Sequence, residues 1–397
     1  MLAIDGASTL VDLLQIRSAC QPRRQAYTFL DGGEREAASF SYGELDRRAR
    51  AIAARLQARE LGGERAVLLY PPGLDFVAAF WGCLYAGVVA VPAYPPRPRD
   101  RTGRIRSLVA DCRPRAVLTT AALGAAAVNE IAPLLDEGAA PGWLATDEIG
   151  DGDADAWRRP RLAPGDGAFL QYTSGSTSEP RGVLVSHANL MHNEEMIRRA
   201  FRQSAASVVV SWLPLYHDMG LIGGVLQPLY CGARCILMSP MAFLQQPARW
   251  LQAVSRYRAT TSGGPDFAYD LCVRKITPAQ RGELDLSCWT TAFDGAEPVR
   301  AATLERFTAA FGPCGFRRAA LYPCYGLAEA TLFVAGGRLG EGPRLAPAPA
   351  VDAPAGSGAP GGGARHLVGC GSSWLGQRLV IVDPESGAER PEGEVGE

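Results

Sequence analysis

Lysine is almost missing from this chain of 397 residues: of its forty basic residues, only Lys275 is a lysine. A mechanism that needs a catalytic lysine must therefore use Lys275 or a group outside the chain. A surplus of either charge is missing too. Forty basic and forty-one acidic residues leave a net charge of −1, which removes the global electrostatic case for nucleic acid or an anionic membrane as partner. The ten cysteines form no cluster, and the close pair Cys231 and Cys235 has no histidine or cysteine group around it. With no secretory leader legible at the N-terminus, they read as reduced, mostly buried thiols of a cytoplasmic protein. A membrane span is not expected either. The one long uncharged run, "FVAAFWGCLYAGVVAVPAY" from Phe76 to Tyr94, is interrupted by Gly82, Gly87 and Pro92 and ends β-branched. A buried helix, a turn at Gly87 and a short buried strand fit it better. No GxSxG occurs, which disfavours a serine hydrolase, and no Walker phosphate loop is present.

What the chain does have is 47% apolar residues, enough for two or three packed units. Ser41 and Glu44 stand at capping-box spacing, and Leu45, Ala49, Ile52 and Leu56 follow at helical spacing. "RAVLLY" (65–70), "RAVLTT" (115–120), "GAFLQYTSG", "SVVVSWLPL", "RCILMSP", "ATTSGG", "WTTAFDGAE" and "AALYPCYG" read as short apolar strands, each closed by Gly, Pro or a polar turn. Strands alternating with helical stretches imply α/β layers with mixed sheets. The expected division is a first α/β unit over 1–185, a second over 186–335, a Gly/Pro-rich insertion over 336–363, and part of a small β-barrel-like unit over 364–397. The insertion contains a formal GxGxxG from Gly356 to Gly361. No strand precedes it and no helix follows, so it is not read as a dinucleotide site.

Four polar constellations sit at expected strand ends, where α/β sheets bind ligands. In "YTSGSTSEPRGV", Thr173, Ser174, Gly175, Ser176 and Thr177 offer hydroxyls and a backbone free to turn around an anion; a polar surface turn is the plain alternative. In "WLPLYHDMGLIGG", His217 and Asp218 precede a glycine-punctuated apolar run. His217 reads either as a group meeting the head of an amphipathic substrate or as a satisfied core histidine. Asp218 could orient His217, but side chains of neighbours on a strand face opposite ways, so a cap or turn role reads equally well. "FDGAEPV" and "LYPCYGLAEAT" each end a strand with glycine and a carboxylate. Glu329 suits Mg²⁺ beside phosphate oxygens, or simply a helix start. Tyr325 offers a flat face to a nucleobase, or packs.

Taken together and in order, these motifs resemble the adenylate-forming superfamily of acyl- and aminoacyl-activating enzymes, and within it the fatty acyl-AMP ligases. "YTSGSTSEPRGVLVSHANL", "SWLPLYHDMGLIGGVLQPLYCGA", "GGPDFAYDLCVRK", "FDGAEPVR" and "YPCYGLAEATLFV" carry the likeness, which runs from residue 9 to Glu397. The resemblance implies ATP-dependent conversion of a medium- or long-chain fatty acid to its acyl-adenylate, with release of pyrophosphate and transfer to the phosphopantetheine arm of an acyl carrier protein. Thr173 to Thr177 with Arg181 would hold the ATP phosphates, and Glu329 with Thr173 would place Mg²⁺. Gly295, Ala296, Glu297, Tyr325, Gly326 and Leu327 would line the adenine pocket. His217, Met219, Gly220, Leu221, Gly224, Gly264, Pro265 and Phe267 would border the acyl site. His217, Glu329 and Thr173 are the expected catalytic residues.

Departures from the pattern matter as well. Arg181 stands where the superfamily often has lysine. The family's ribose-binding aspartate, its hinge and its mobile C-terminal domain with a catalytic lysine would all follow Glu397. The expectation is therefore a large N-terminal domain cut from a longer enzyme or synthase, with impaired turnover by itself. Lys275, in a helical context, reads as a solvated side chain. Arg97, Arg99, Arg101, Arg104 and Arg106 form a basic stretch that either docks an acidic carrier or is a solvated loop. The alternatives to an acyl-AMP ligase are an acyl-CoA ligase, an amino-acid-activating domain, and a nucleotide- and fatty-acid-binding module with little turnover. The greasy "YHDMGLIGG" fits an alkyl chain better than an α-amino acid.

Overall fold

The computed structural model describes residues 6–94, 103–124, 142–173, 181–347 and 366–397. Two sheets organise them, as the alternating pattern implies. The six-stranded sheet runs, edge to edge, through Gly142–Ala145, Ala116–Thr119, Arg65–Leu69, Val89–Ala93, Gly167–Thr173 and Arg181–Ser186; only the last strand is antiparallel. Alternate residues of one strand face different cores. Val67 and Leu69, with Val91, Val117 and Tyr172, pack against Ile105, Leu108 and Val109 of the helix Gly103–Cys112. Ala66 and Leu68 face the main core, with Phe169, the helix Tyr42–Gln57 and the helix Leu74–Ala86. Burial on both faces explains the unbroken apolar runs in the sequence, each large side chain contributing about 1.5–3 kcal/mol.

The run Phe76–Tyr94 divides as expected, into the helix Leu74–Ala86, Gly87 at φ 70°, and the strand Val89–Ala93. Among the described residues no helix is long and apolar enough to cross a membrane. Gly82 lets this helix close on its neighbour, since a Cβ there would stand 2.4 Å from Ile52 Cγ2. The capping box is present: Glu44 N–H donates to Ser41 Oγ at 3.3 Å, and Ser41 N–H donates to Glu44 Oε2 at 2.7 Å.

The nine-stranded sheet runs through Ser372–Ser373, Phe333–Gly336, Leu321–Gly326, Thr291–Asp294, Thr261–Gly264, Val208–Ser211, Arg234–Met238, Gln25–Asp31 and Arg35–Ser41. Its middle six strands, from Leu321–Gly326 to Gln25–Asp31, are joined by five parallel pairings. The hairpin of residues 25–41 therefore belongs to the second sheet, although it lies within the expected first unit of 1–185. Its strand Gln25–Asp31 pairs in parallel with Arg234–Met238, Tyr27 opposite Cys235. Tyr27 Oη donates to Val225 O at 2.7 Å, and Arg17 Nε donates to Leu229 O at 3.1 Å. Such pairings span some 200 residues, and local sequence pattern carries no trace of them.

Near the C-terminus the structure adds detail to the expected division. Within the Gly/Pro-rich insertion, Arg344–Pro347 forms a strand that pairs antiparallel with His366–Gly369. Backbone hydrogen bonds hold this pair, and the first strand is exposed along its length. Residues 348–365, with the GxGxxG, lie outside the described residues. The stretch 377–397 forms turns around a single bridge, Val382 to Glu389, rather than strands. Asp383, Gly387 and Gly393 turn the chain too often for a ladder to extend.

Candidate active site

The parallel strands of the large sheet end at Ser211, Gly264 and Asp294, with Leu321–Gly326 beside them, and the site grows from the loops beyond those ends. After Ser211 the chain turns at Pro214, whose carbonyl accepts from His217 N–H at 3.1 Å. A π-helix then begins and spans Met219–Leu226. Its glycines are steric requirements. A Cβ on Gly220 would stand 2.0 Å from Pro214 O, and one on Gly224 would stand 2.8 Å from Ser211 Oγ. π-helical turns are rare and concentrate at functional sites. The turn also overrides the strand-based expectation that His217 and Asp218 face apart. Asp218 Oδ1 lies 2.5 Å from His217 Nδ1 and accepts from Met219 N–H at 2.7 Å. The buried aspartate thus both caps the helix and fixes the imidazole, which is 55% exposed.

Thr291–Asp294 leads into Gly295, Ala296 and Glu297. Gly295 passes close to Leu321–Gly326: a Cβ on it would stand 2.9 Å from Cys324 O. Ala296 has φ 69°, a strained conformation for a residue with a side chain. Glu297 Oε1 accepts from Phe267 N–H at 2.6 Å and ties this loop to the start of the helix Asp266–Lys275. Beneath the loop, Asp294 is fully buried and, among the described residues, neither carboxylate oxygen has a hydrogen-bond partner. Burial, reinforced by Asp266 and Glu297, pushes its carboxyl well above the ordinary range.

Leu321–Gly326 carries Tyr325, 49% exposed. The chain then folds back so tightly that a Cβ on Gly326 would stand 2.0 Å from Leu332 O. Glu329 projects from this turn, exposed, with no ion pair or hydrogen bond of its side chain among the described residues. Thr331, at φ 76° and ψ −64°, closes the turn in a strained γ-type conformation. Asn193 secures it from the helix His187–Ala200. Its Nδ2 donates to Phe333 O at 2.9 Å and its Oδ1 accepts from Phe333 N–H at 3.0 Å, so a side chain takes the place of a neighbouring strand.

Two cavities open among these loops. One of about 660 Å³ is lined by Tyr70, Phe76, Trp212, Met241, Leu244 and Phe267, with His217, Met219, Gly220, Pro265, Ala296 and Glu297. The other, of about 210 Å³, lies between the sheet and the helix His187–Ala200. Ile197, Phe201, Gln203, Phe293, Leu332 and Phe333 line it, with His217, Met219, Gly295, Ala296, Tyr325 and Gly326 at its mouth. His217, Met219 and Ala296 border both.

The other expected site residues stand elsewhere. Leu221, Gly224 and Gly264 are on neither wall: Leu221 is fully buried, and a Cβ on Gly264 would stand 2.6 Å from Trp212 Cζ2. Leu327 and Glu329 belong to the turn beside the smaller cavity. Thr173 and Arg181 are direct cross-strand partners, so the strands flanking the expected phosphate loop converge there. Ser174, Gly175, Ser176 and Thr177 lie outside the described residues, as do Arg97, Arg99 and Arg101. The side chain of Arg104 also lies outside them, while Arg106 is exposed. Lys275 is exposed at the far end of its helix, about 12 Å along the axis from Phe267. Sequence reading missed the walls contributed by Phe201, Gln203 and Met241, which belong to no polar motif. Trp212 was within reach, standing in the same motif as His217.

A family model described as AMP-binding enzyme matches residues 14–397. A medium-chain-fatty-acid–[acyl-carrier-protein] ligase, JamA of Moorena producens (strain JHB), is 46% identical over 389 residues, covering 95% of this chain and 65% of that protein. The corresponding ligase TtuA of Teredinibacter turnerae (strain ATCC 39867 / T7901) is 36% identical over 434 residues, covering 99% and 67%. The chain thus spans about two thirds of the length of these relatives. A fatty acyl-adenylate ligase from L. pneumophila, solved with acyl adenylate and pyrophosphate, superposes with a TM-score of 0.87 at 40% identity, over 97% of this chain and 67% of that one. A match over almost the whole length, together with these relatives, shows that the chain belongs to the AMP-binding enzyme family.

Proposed function

We propose that this chain activates a fatty acid at the expense of ATP, forming an acyl-adenylate and releasing pyrophosphate, as part of a fatty acid:AMP ligase that hands the acyl group to an acyl carrier protein in lipid, polyketide or lipopeptide synthesis. The observation that carries the reading is the meeting of two apolar cavities at His217, Met219 and Ala296. An acyl group and an acceptor thiol must reach one carbon by separate routes, and the junction offers two. The relatives' names, ligases of fatty acids to acyl carrier proteins, point the same way.

In this reading adenine stacks on Tyr325, beside the strained loop of Gly295, Ala296 and Glu297. The carboxylate rests at His217, whose ring Asp218 holds by Nδ1. A carboxylate oxygen attacks the α-phosphorus, the bond to the β-phosphate oxygen breaks, and pyrophosphate leaves. Two anions must meet, so catalysis is mainly positioning and charge neutralisation. Arg181, Thr173 and the hydroxyl-rich residues 174–177 would steer the leaving phosphates. Glu329 is exposed and unpaired among the described residues, which suits it to hold Mg²⁺ together with Thr173. No three His, Cys, Asp or Glu side chains cluster around a metal position among the described residues, and Mg²⁺ characteristically takes phosphate oxygens and one or two carboxylates. The ion would supply positive charge to the phosphates.

The acyl chain enters the smaller cavity, because its mouth is formed by the nucleotide-side residues Gly295, Tyr325 and Gly326. A volume of about 210 Å³ lies below the roughly 300–1,000 Å³ of typical ligand pockets and favours a medium over a long chain. The larger cavity is bordered by Gly220, Pro265 and Phe267; these three were expected beside the acyl chain, and in this reading they instead admit the carrier's phosphopantetheine arm. We assign the protein to the cytoplasm, since all ten cysteines are free thiols.

The test is mass-spectrometric detection of acyl-AMP after incubation with ATP, Mg²⁺ and fatty acids of graded length. His217→Ala and Glu329→Gln are each expected to lower acid-dependent pyrophosphate release at least about tenfold. Wild-type rates in both variants would overturn the site assignment.

A further inference from the structure

The smaller cavity is apolar over most of its lining, but not all of it. Ile197, Phe201, Phe293, Leu332 and Phe333 are joined by Gln203 and Thr261, and Thr261 lies beside Thr291, two residues back along the sheet from Phe293. Thr261 begins its strand, three residues before the strand end at Gly264, and so lies about 10 Å back from the level at which that strand gives way to the site loops. Both are almost fully buried, Gln203 at 4% and Thr261 at 3% exposure. The Thr261 hydroxyl has no hydrogen-bond partner among the described residues, and neither does one of the two Gln203 amide atoms. A buried polar atom facing an apolar cavity is costly unless something meets it.

The network behind Gln203 determines which atom faces the cavity. Gln203 meets Gln227 across a 2.8 Å amide contact. Gln227 lies against Glu194, which is fully buried and whose carboxyl is pushed well above the ordinary range by that burial. With its nitrogen toward Glu194, Gln227 donates to the Glu194 backbone carbonyl at 3.0 Å and to the Glu194 carboxyl group, and its oxygen accepts from Arg198 N–H at 3.2 Å. The donor in the 2.8 Å contact must then be the Gln203 nitrogen, which leaves the Gln203 oxygen for the cavity.

We infer that the smaller cavity selects acids whose chain ends in a hydroxyl group, which donates to Gln203 Oε1 and accepts from Thr261 Oγ1. This inference rests on the proposed adenylation reading and adds the substrate class. A site built to hydrogen-bond a hydroxyl discriminates against analogues that lack it, because its own polar groups are then left unpaired.

The experiment compares ω-hydroxy acids with unsubstituted acids of equal length, reading kcat/KM for acyl-AMP formation and, without ATP, direct binding by calorimetry. At the best-fitting length the hydroxy acid is expected to be preferred at least about tenfold. Gln203→Leu and Thr261→Val are each expected to lower that ratio severalfold. Two variants are used so that a folding defect in one does not remove the test. A ratio near one at every length, or a preference unchanged in both variants, would overturn the inference while leaving adenylation intact. Absence of acyl-AMP with every acid would instead refute the adenylation reading, and the binding ratios would still decide the hydroxyl preference.

Discussion

The turn that carries Glu329 depends on one side chain. Asn193 makes two hydrogen bonds to the backbone of Phe333, at 2.9 and 3.0 Å, from a position only 3% exposed. Phe333 N–H and C=O are themselves buried, and Asn193→Ala would leave both without this partner. Each stranded group costs about 1–3 kcal/mol, so the pair is expected to cost about 2–6 kcal/mol, concentrated in residues 327–336. Amide hydrogen exchange reads that loss locally. Exchange of a peptide covering Glu329 to Gly336 is expected to accelerate at least roughly 30-fold, while peptides from the helix Leu74–Ala86 stay unchanged. Asn193→Asp is a graded control. It keeps the acceptor for Phe333 N–H but sets a carboxylate against Phe333 O, so its acceleration should be intermediate. Wild-type exchange over residues 329–336 in Asn193→Ala would refute the claim that this side chain substitutes for a strand. If Glu329 works from this turn, pyrophosphate release falls in the same order.

Other perturbations have equally defined outcomes. His187 is 1% exposed, its Nδ1 accepts from Leu10 N–H at 3.4 Å, and burial lowers its pKa to about 4. An unfolded histidine takes up its proton near pH 6.5, so stability is lost as pH falls from about 6.5 towards 4, by up to about 3 kcal/mol. His187→Gln should flatten that limb of a pH series of denaturation midpoints, and an unchanged slope would count against it. Asp294 has the opposite sign. Its folded carboxyl is raised, so the unfolded one ionises first and stability declines as pH rises above about 4, at up to about 1.4 kcal/mol per unit, until the folded carboxyl ionises too. Asp294→Asn should therefore gain on the wild type as pH rises above about 4, and a constant difference between the two would sink the argument. Gly220→Ala places a methyl 2.0 Å from the Pro214 carbonyl oxygen. A loss of about 2–4 kcal/mol together with loss of acyl-AMP formation is expected, and wild-type melting would contradict the steric account.

The parts of the molecule that could be read in the sequence are those whose determinants are local. The capping box at Ser41, the break at Gly87 and the strand ends at Gly264 and Asp294 each follow from a few adjacent residues. What escaped is set by distant pairings. The strand Gln25–Asp31 has no local mark of its partner some 200 residues away, and Phe201 and Gln203 line a cavity only because the helix before them crosses the sheet there. The relation of His217 to Asp218, open in the sequence between an orienting and a capping aspartate, turns out to be both. Strand geometry sends neighbours to opposite faces, but the chain leaves its strand at Ser211 and enters a π-helix at Met219, so the rule does not reach these two residues.

That irregular turn also explains how one histidine can border two cavities. A regular strand would turn His217 to one face of the sheet, and an α-helix would point it along one stripe. A turn ending in a wide helix places His217 at the end of the wall that separates the cavities, with Met219 beside it. Gly220 against Pro214 O and Gly224 against Ser211 Oγ bring the helix close enough to the strand end for this to hold. The glycines of "MGLIGG" are thus steric rather than flexible elements, and the imidazole is positioned by an aspartate one residue away.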